Sequence, residues 1–202
     1  DKGVEQVIKN IIHSIENIFE NSGISKNNCK YIGIGCPGTI NPENGVVVYS
    51  NNLKWSDVHL KEEIEKAIGL DVYISNDANC AALGEVKAGF GGKYKNAVVI
   101  TLGTGVGGGI VIDGKIFEGG IGGAEIGHTL IERNGELCTC GRKGCLEAYA
   151  SATALIRQAK EAANNNKESQ LHKMCNGNIE NMNGKIPFDA AKIYDETAMN
   201  VI

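Results

Sequence analysis

Three cysteines crowd into eight positions in the second half of the chain, and a histidine precedes them. Cys138, Cys140 and Cys145 form a Cys-x-Cys-x4-Cys cluster, and His128 lies ten residues before it. Thiolate sulfur and imidazole nitrogen are preferred Zn²⁺ ligands, and four of them close a tetrahedral structural site with no position left for a water nucleophile. The cluster therefore predicts a zinc ion that orders this loop and performs no hydrolysis. The alternative is three buried or free thiols near an unrelated histidine.

The other four cysteines are dispersed along the chain. They bring the total to seven, and an odd, locally clustered set favours metal binding over a disulfide framework. A dispersed free cysteine usually behaves as a small apolar side chain. We therefore expect core positions for these residues, which are Cys29, Cys36, Cys80 and Cys175.

The charge of the chain argues against polyanionic partners. A formal net charge of −4, with lysine and arginine scattered along the sequence, provides no basic surface for a nucleic acid or an anionic membrane. No apolar run approaches the roughly 18 residues that a membrane span needs, and the first residues lack the layout of a signal peptide. The sequence thus predicts a cytoplasmic protein with no nucleic-acid or membrane partner.

Hydrophobic periodicity indicates strands that alternate with helices. Apolar residues recur at three- and four-residue steps from Val4 to Phe19, which predicts an amphipathic helix that ends near Gly23. A short apolar run from Tyr31 to Cys36 predicts a buried strand. The remaining predicted elements are strands at 46–48, 72–74, 97–102 and 109–112, helices at 60–68, 78–88, 146–163 and 189–202, and a loop at 176–185. This pattern predicts an α/β protein.

A glycine-rich segment lies between two of the predicted strands, at 101–109. It formally contains G-x-G-x-x-G at Gly103, Gly105 and Gly108, but a dinucleotide-binding fingerprint opens a helix, whereas the next residues here continue as a strand. No Gly-Lys-Ser/Thr follows, which excludes a Walker loop. A turn with the Thr104 hydroxyl and unobstructed backbone N–H groups can bind phosphate oxygens. The alternative is an ordinary glycine hairpin.

Five motifs occur in an order that resembles one family. They are Cys36-Pro37-Gly38, residues 76–79 with 81–85, residues 102–109, residues 125–128 and the cysteine motif at 138–147. Together they resemble the ROK family of repressors, open-reading-frame proteins and kinases, and the similarity runs through nearly the whole chain. The cysteine motif is the most specific of the five, and residues 144–153 look most like the glucokinases of the family.

The resemblance implies a two-lobed α/β fold of the actin-like, ribonuclease-H-like sugar kinase class, with a sugar in the cleft between the lobes. On this basis residues 1–94 belong to the smaller N-terminal lobe and residues 95–202 to the larger lobe with the zinc loop. The N-terminal Asp-x-Gly-Gly-Thr phosphate loop of the family and its later adenosine segment have no counterpart here, and no start methionine is present. We therefore expect a chain that is incomplete at both ends, and turnover by the complete protein only. The family also implies a homodimer.

The activity that the resemblance implies is phosphorylation of glucose by ATP with Mg²⁺, with Asp77 as the general base. Asp77 follows a predicted strand and precedes a predicted helix, so the alternative role is an N-terminal helix cap. The resemblance implies sugar ligands at Asn76, Glu125, His128 and Glu147. The candidate phosphate contacts, Gly103, Thr104 and Gly105, are those of the glycine-rich turn. Asn51 and Trp55 are weaker candidates for the sugar side, and Trp55 could equally be a core residue.

Two further functions stay open at this point. The first is a sugar-sensing effector domain of a ROK transcriptional repressor, and the second is a ROK kinase for another hexose such as fructose, mannose or N-acetylmannosamine. A zinc-stabilised interaction module without a small-molecule site would not explain why carboxylates, amides and a glycine turn occur in this order.

Overall fold

The computed structural model describes residues 3–89, 91–119 and 124–202 and confirms a mixed α/β architecture. The chain divides into two compact units, Asp1–Val99 with Gly108–Ala124, and Ile100–Gly107 with Glu125–Ile202. How these units correspond to the two lobes predicted at 1–94 and 95–202 stays a prediction. In the part of the chain that the structure describes, no helix is both long enough and apolar enough to span a bilayer.

The first unit begins with the predicted amphipathic helix, α1 (Gly3–Ser22). Its apolar stripe includes Ile8, which is buried, and partly buried residues such as Ile11 and Ile15 that pack on the core of the first unit. A short 3-10 turn at Lys26–Asn28 follows, capped by the Ser25 hydroxyl. This packing explains why the periodicity in the sequence is regular over five turns of helix.

Two parallel strands form the next part of the first unit. Strand β1 (Tyr31–Cys36) pairs in register with β5 (Asp71–Asn76), so that Cys36 lies opposite Asn76. Helix α2 (Leu60–Ile68) comes between them in the chain and buries Leu60, Ile64 and Ile68. It ends at Gly69, whose φ of 72° is the left-handed cap that glycine adopts without strain.

A three-stranded antiparallel sheet is inserted between β1 and α2. It consists of β2 (Thr39–Asn41), β3 (Val46–Ser50) and β4 (Trp55–Val58), paired in the order β2-β3-β4. Only β3 was indicated by the sequence, because β2 and β4 are short and carry polar residues. Trp55 is 4% exposed and belongs to the hydrophobic core of this unit.

Helix α3 (Asp77–Gly84) follows β5 directly and continues as one π-helical turn at Glu85–Gly89. The sequence predicted a single helix at 78–88. The extent of that helix is correct, but the change from α-helix to π-helix at Glu85 was not predicted. The strands β6 (Ala97–Leu102), β7 (Val106–Ile112) and β8 (Lys115–Ile116) form the third sheet. Gly109 of β7 lies against α3, where a Cβ atom would overlap Ala82.

The second unit is mostly helical. Its helices are α4 (Glu147–Ala150), α5 (Ala152–Asn165), α6 (Gln170–Met174), α7 (Ile186–Lys192) and α8 (Glu196–Met199), with 3-10 turns at Ile126–His128 and Ile179–Asn181. Its core is built from small and sulfur-containing side chains around Leu171, including Ala159, Ala163, Cys175 and Ala190. Small residues allow these short helices to approach each other closely.

Two helix predictions in this unit need correction. The helix predicted at 146–163 is two helices, because Ser151 has extended backbone and its hydroxyl caps α5 by accepting from the Ala154 N–H. The helix predicted at 189–202 is also broken, into α7 and α8. Tyr194 adopts a left-handed φ of 61°, and Asp195 then caps α8.

The dispersed cysteines follow the prediction only in part. Cys36 and Cys175 are buried, as expected for small apolar core residues. Cys29 is half-buried, and Cys80 is exposed on α3, so the core assignment of Cys80 is wrong. The reason is that α3 has little amphipathic asymmetry, which leaves the sequence without a signal for its buried face.

Candidate functional site

The carboxyl ends of β1 and β5 meet because the two strands are parallel and in register. The Asn76 side chain bonds to the segment after each strand. Its Nδ2 donates to the Gly38 carbonyl at 3.0 Å, and its Oδ1 accepts from the backbone N–H groups of Ala78 at 2.9 Å and Asn79 at 3.1 Å. One amide therefore fixes both the Pro37-Gly38 turn and the start of α3.

Asp77 is the first residue of α3 and not its cap. Asn76 has the extended φ and ψ of −61° and 142° and supplies the capping oxygen. The Asp77 carboxylate is exposed and accepts from the Ala78 N–H at 3.0 Å through Oδ1. The helix-cap role weighed for Asp77 is thus filled by its neighbour, which leaves an exposed carboxylate at the strand edge.

A neutral thiol lies beside this carboxylate. Burial, together with the negative charge of Asp77, raises the pKa of the Cys36 thiol to about 11. Cys36 therefore stays protonated at neutral pH and adds no second charge next to Asp77.

The two weaker sugar candidates lie in the same unit as Asp77. Asn51 follows β3 and is half-buried, and its Oδ1 accepts from Lys54 Nζ at 3.1 Å and from the Tyr49 hydroxyl at 3.4 Å. Trp55 lies in the core, which is the alternative that the sequence left open for it.

The four predicted zinc ligands converge in the second unit. The ligand atoms of His128, Cys138, Cys140 and Cys145 all lie within 4.8 Å of one another. Zn–S and Zn–N distances of about 2.3 and 2.05 Å require tetrahedral edges of about 3.8 Å between sulfurs and about 3.6 Å between sulfur and nitrogen. Cys140 Sγ and Cys145 Sγ are 3.7 Å apart, and Cys138 Sγ is 3.6 Å from His128 Nδ1. The donor set therefore fits a tetrahedral zinc ion.

Backbone geometry closes the loop around this cluster. Isolated antiparallel β-bridges pair Leu130 with Cys145 and Leu137 with Lys143, and these two pairs hold the loop in place. Gly144 has a φ of 80°, and a Cβ atom there would overlap the Glu132 carbonyl. Glycine is required at this position for both reasons.

The three thiols differ in their electrostatics. Burial raises the pKa of Cys138 to about 12 and raises that of Cys145. At Cys140 burial acts in the same direction, but hydrogen bonds from Arg142 and from the two other thiols outweigh it and lower the pKa to about 6. Arg142 is also anchored, since its Nη2 donates to the His128 carbonyl at 3.2 Å. A metal ion would supply the charge that ionises the two remaining thiols.

Glu147 connects the cysteine loop with the glycine-rich turn. Its Oε2 accepts from the Val106 N–H at 3.0 Å, and its Oε1 accepts from Thr139 Oγ1 at 2.9 Å and lies 3.6 Å from Cys138 Sγ. A glutamate in the first turn of a helix is commonly solvated, and that is the alternative role for Glu147. These contacts replace that alternative with a half-buried carboxylate that has protein donors on both oxygens.

Residues 103–105 form a turn between β6 and β7, as predicted, but β7 begins at Val106, so the strand predicted at 109–112 starts three residues earlier. Gly103 N–H donates to the Gly105 carbonyl at 2.9 Å across the turn. Thr104 is exposed at its tip. A Cβ atom on Gly105 would overlap the end of the Glu147 side chain, so a larger residue there would displace that carboxylate.

Glu125 precedes the 3-10 turn at Ile126–His128, and His128, its last residue, donates its backbone N–H to the Glu125 carbonyl at 3.0 Å. The second unit thus contains Glu125, His128, the three cysteines, Glu147 and the turn at 103–105, while the first unit contains Asn51, Asn76 and Asp77. Sequence reasoning missed Thr139, Arg142 and Thr153. Thr139 and Thr153 bond to partners 8 and 49 residues away, so their local spacing gives no signal for these contacts. Arg142 bonds to the His128 carbonyl, 14 residues earlier, as well as to the nearby Cys140.

Comparison with known proteins identifies the family of this chain. The ROK family profile matches residues 2–201. The chain is 40% identical over 203 residues to the glucokinase of Thermotoga maritima, covering 100% of this chain and 62% of that protein. It is 34% identical to a putative xylose repressor of Caldicellulosiruptor sp. Rt8B.4, covering 98% of this chain and 49% of the repressor.

A solved structure shows the same fold. The ROK family glucokinase of Streptomyces griseus, in complex with glucose and AMPPNP, superposes with a TM-score of 0.83 at 35% identity. The match covers 100% of this chain and 64% of that one, so the chain spans less than two thirds of these relatives. A family match over nearly every residue, together with this fold, shows that the chain belongs to the ROK family.

Proposed function

We propose that the full-length protein is a sugar kinase that transfers the γ-phosphoryl group of ATP to glucose and forms glucose 6-phosphate, with Asp77 as the general base. The observation that carries the proposal is the exposed Asp77 carboxylate at the carboxyl edge of two parallel strands, released from helix capping by Asn76. The 40% identity to a glucokinase across the whole chain supports the same reaction.

The chemistry requires a base because the attacking sugar hydroxyl loses its proton as its oxygen bonds to phosphorus. An Asp77 carboxylate oxygen accepts that proton, and the product leaves as a phosphate ester with ADP. Mg²⁺ bound to ATP would partly neutralise the negative charge on the phosphate oxygens.

We assign sugar recognition to polar groups that can bond several hydroxyls. These residues are Asn51, Asn76, Glu125, His128 and Glu147. Asn76 Oδ1 is already used by the two N–H groups of α3, and one Nδ2 hydrogen is used by the Gly38 carbonyl. The second Nδ2 hydrogen is the one that can donate to a sugar oxygen. His128 Nδ1 faces Cys138, and a metal on Nδ1 leaves the proton on Nε2 for a sugar hydroxyl.

We assign the phosphate groups of ATP to the turn at Gly103, Thr104 and Gly105. Backbone N–H groups and a hydroxyl at a glycine turn are donors suited to phosphate oxygens. His128, Cys138, Cys140 and Cys145 would hold a structural zinc ion, which would anchor the loop rigidly.

A coupled assay of the full-length protein with ATP, Mg²⁺ and a panel of hexoses tests the proposal. The panel contains glucose, mannose, fructose and N-acetylmannosamine. We expect the highest kcat/KM with glucose. A preference for another hexose of the panel would change the assigned substrate and leave the kinase activity supported. Binding of a sugar without any turnover would overturn the proposed kinase activity.

The second candidate is a sugar-sensing effector domain of a repressor. It is favoured by the 34% identity to a putative xylose repressor over almost the whole chain. The homodimer stays a prediction of the family resemblance, and the cytoplasmic location stays a prediction from the sequence. Light scattering of the full-length protein with and without sugar measures the oligomeric state directly.

A further inference from the structure

All three carbonyl oxygens of the turn at 103–105 accept a hydrogen bond. The Gly103 carbonyl accepts from the Ala152 N–H at 2.9 Å, and the Gly105 carbonyl accepts from the Gly103 N–H at 2.9 Å. The Thr104 carbonyl accepts from Thr153 Oγ1 at 2.8 Å. Two of these three bonds come from the first residues of α5, so α5 sets the direction of two peptide groups in the turn.

The direction of a carbonyl also sets the direction of the following N–H. In a trans peptide the C=O and N–H bonds point in opposite directions, and the described chain contains no cis peptide. The Gly103 and Thr104 carbonyls point toward α5, so the N–H groups of Thr104 and Gly105 point away from it. These are two of the donors assigned above to phosphate.

The orientation of one of these two peptide groups depends on a hydrogen bond from a side chain. A backbone N–H holds the peptide between Gly103 and Thr104, whereas the Thr153 hydroxyl holds the peptide between Thr104 and Gly105. Gly105 has no Cβ and offers little resistance to rotation of that peptide. On its other side, Gly105 is followed by Val106, whose N–H is held by Glu147.

We infer that Thr153 is a positioning residue for the nucleotide, because its hydroxyl keeps the Gly105 N–H directed at the phosphate oxygens of ATP. This inference rests on the proposed role of the turn in phosphate binding. Without the hydroxyl, the peptide between Thr104 and Gly105 rotates more freely. A rotated peptide presents its carbonyl oxygen to the phosphate, and the two negative groups repel each other.

The test uses Thr153→Val and Thr153→Ser in the full-length protein. Valine keeps the shape of threonine and removes the hydroxyl, while serine keeps the hydroxyl. Thr153 is exposed, so we expect the substitution to leave the fold intact. Thr197→Val is the matched control, because the Thr197 hydroxyl lies in the same unit and accepts from Asn166 Nδ2 at 3.0 Å.

We expect Thr153→Val to raise the KM for ATP and the Kd of a non-hydrolysable ATP analogue about tenfold, the scale of one lost hydrogen bond to a charged group. The KM for glucose should change less than about twofold, and Thr153→Ser and Thr197→Val should resemble the wild type. A rise in the KM for ATP without a rise in the KM for glucose distinguishes a residue that positions the nucleotide from one with a general structural role.

Two results overturn the inference alone. One is an unchanged Kd of the analogue in Thr153→Val, measured by calorimetry beside a wild type that binds it. The other is an equal rise in the KM values for ATP and for glucose. A wild-type protein that binds no nucleotide would overturn the inference and the proposed function together.

Discussion

Single side chains in this protein hold groups from distant parts of the chain. Asn76 makes three hydrogen bonds, two to the start of α3 and one to Gly38, 38 residues earlier. Glu147 similarly holds Val106 and Thr139. A buried or half-buried polar group contributes most when all its partners are present. These two residues therefore determine where Asp77 and the glycine-rich turn lie.

The first prediction concerns the proposed base. Asp77→Asn keeps the size of the side chain and removes its ability to accept a proton. We expect kcat of the full-length protein to fall by a factor of about 10² to 10⁴, with the Kd for glucose within about twofold of the wild-type value. A coupled assay gives kcat, and calorimetry gives the Kd.

Asp71→Asn is the matched control, because Asp71 begins the same strand β5 at its other end and is also exposed. We expect wild-type turnover from this control. Wild-type turnover in Asp77→Asn would remove Asp77 from the role of general base.

At the scale of elements, the cysteine loop and helix α4 act as a continuous segment. Cys145 is followed by Leu146 and then by Glu147, the first residue of α4. Leu146 N–H donates to the Thr129 carbonyl at 2.9 Å, which ties the start of the helix to the segment after His128. Any loosening of the metal loop should therefore reach Glu147 directly.

The second prediction rests on this continuity. Cys140→Ser removes one of the four ligands, and we expect the purified protein to lose its zinc and to bind glucose about tenfold more weakly, because His128 and Glu147 lose their orientation. Elemental analysis by mass spectrometry gives the zinc content, and calorimetry gives the glucose affinity.

Cys80→Ser is the control, since Cys80 is exposed and lies in the other unit. It should keep one zinc ion per chain and normal affinity. Retention of zinc with unchanged glucose affinity in Cys140→Ser would disprove the coupling between metal and sugar.

At the scale of the molecule, each unit has its own hydrophobic core. Ile64 and Val72 belong to the core of the first unit, and Leu171 and Ala190 belong to that of the second. All four residues are fully buried. A disturbance of the zinc loop should therefore weaken the second unit near the loop and leave the first core intact.

The third prediction tests this independence. Removal of zinc with a chelator should increase amide hydrogen exchange over residues 126–151 and leave exchange in α2 and β5 unchanged, because these elements pack on the other core. Hydrogen exchange read by mass spectrometry measures both regions in one experiment. Added Zn²⁺ should restore protection, and equal loss of protection in both units would contradict the prediction.

Local sequence was sufficient wherever one element carries its own signal. The stripe in α1, the bounds of α2 at Leu60–Ile68, those of β6 at Ala97–Leu102 and the turn between β6 and β7 follow from periodicity and glycine placement. The ligand set of the metal cluster also follows from local spacing, because thiolates so close in sequence can reach one ion.

Tertiary structure decided the features that depend on distant partners. The sequence offered Asp77 as a possible cap of α3, whereas in the structure Asn76 supplies the cap and also bonds to Gly38. Ser151 divides a segment with helical composition throughout, and Thr153 bonds to a carbonyl 49 residues earlier. Composition and periodicity report each residue's local preference, whereas a hydrogen bond between residues far apart exists only after the chain has folded.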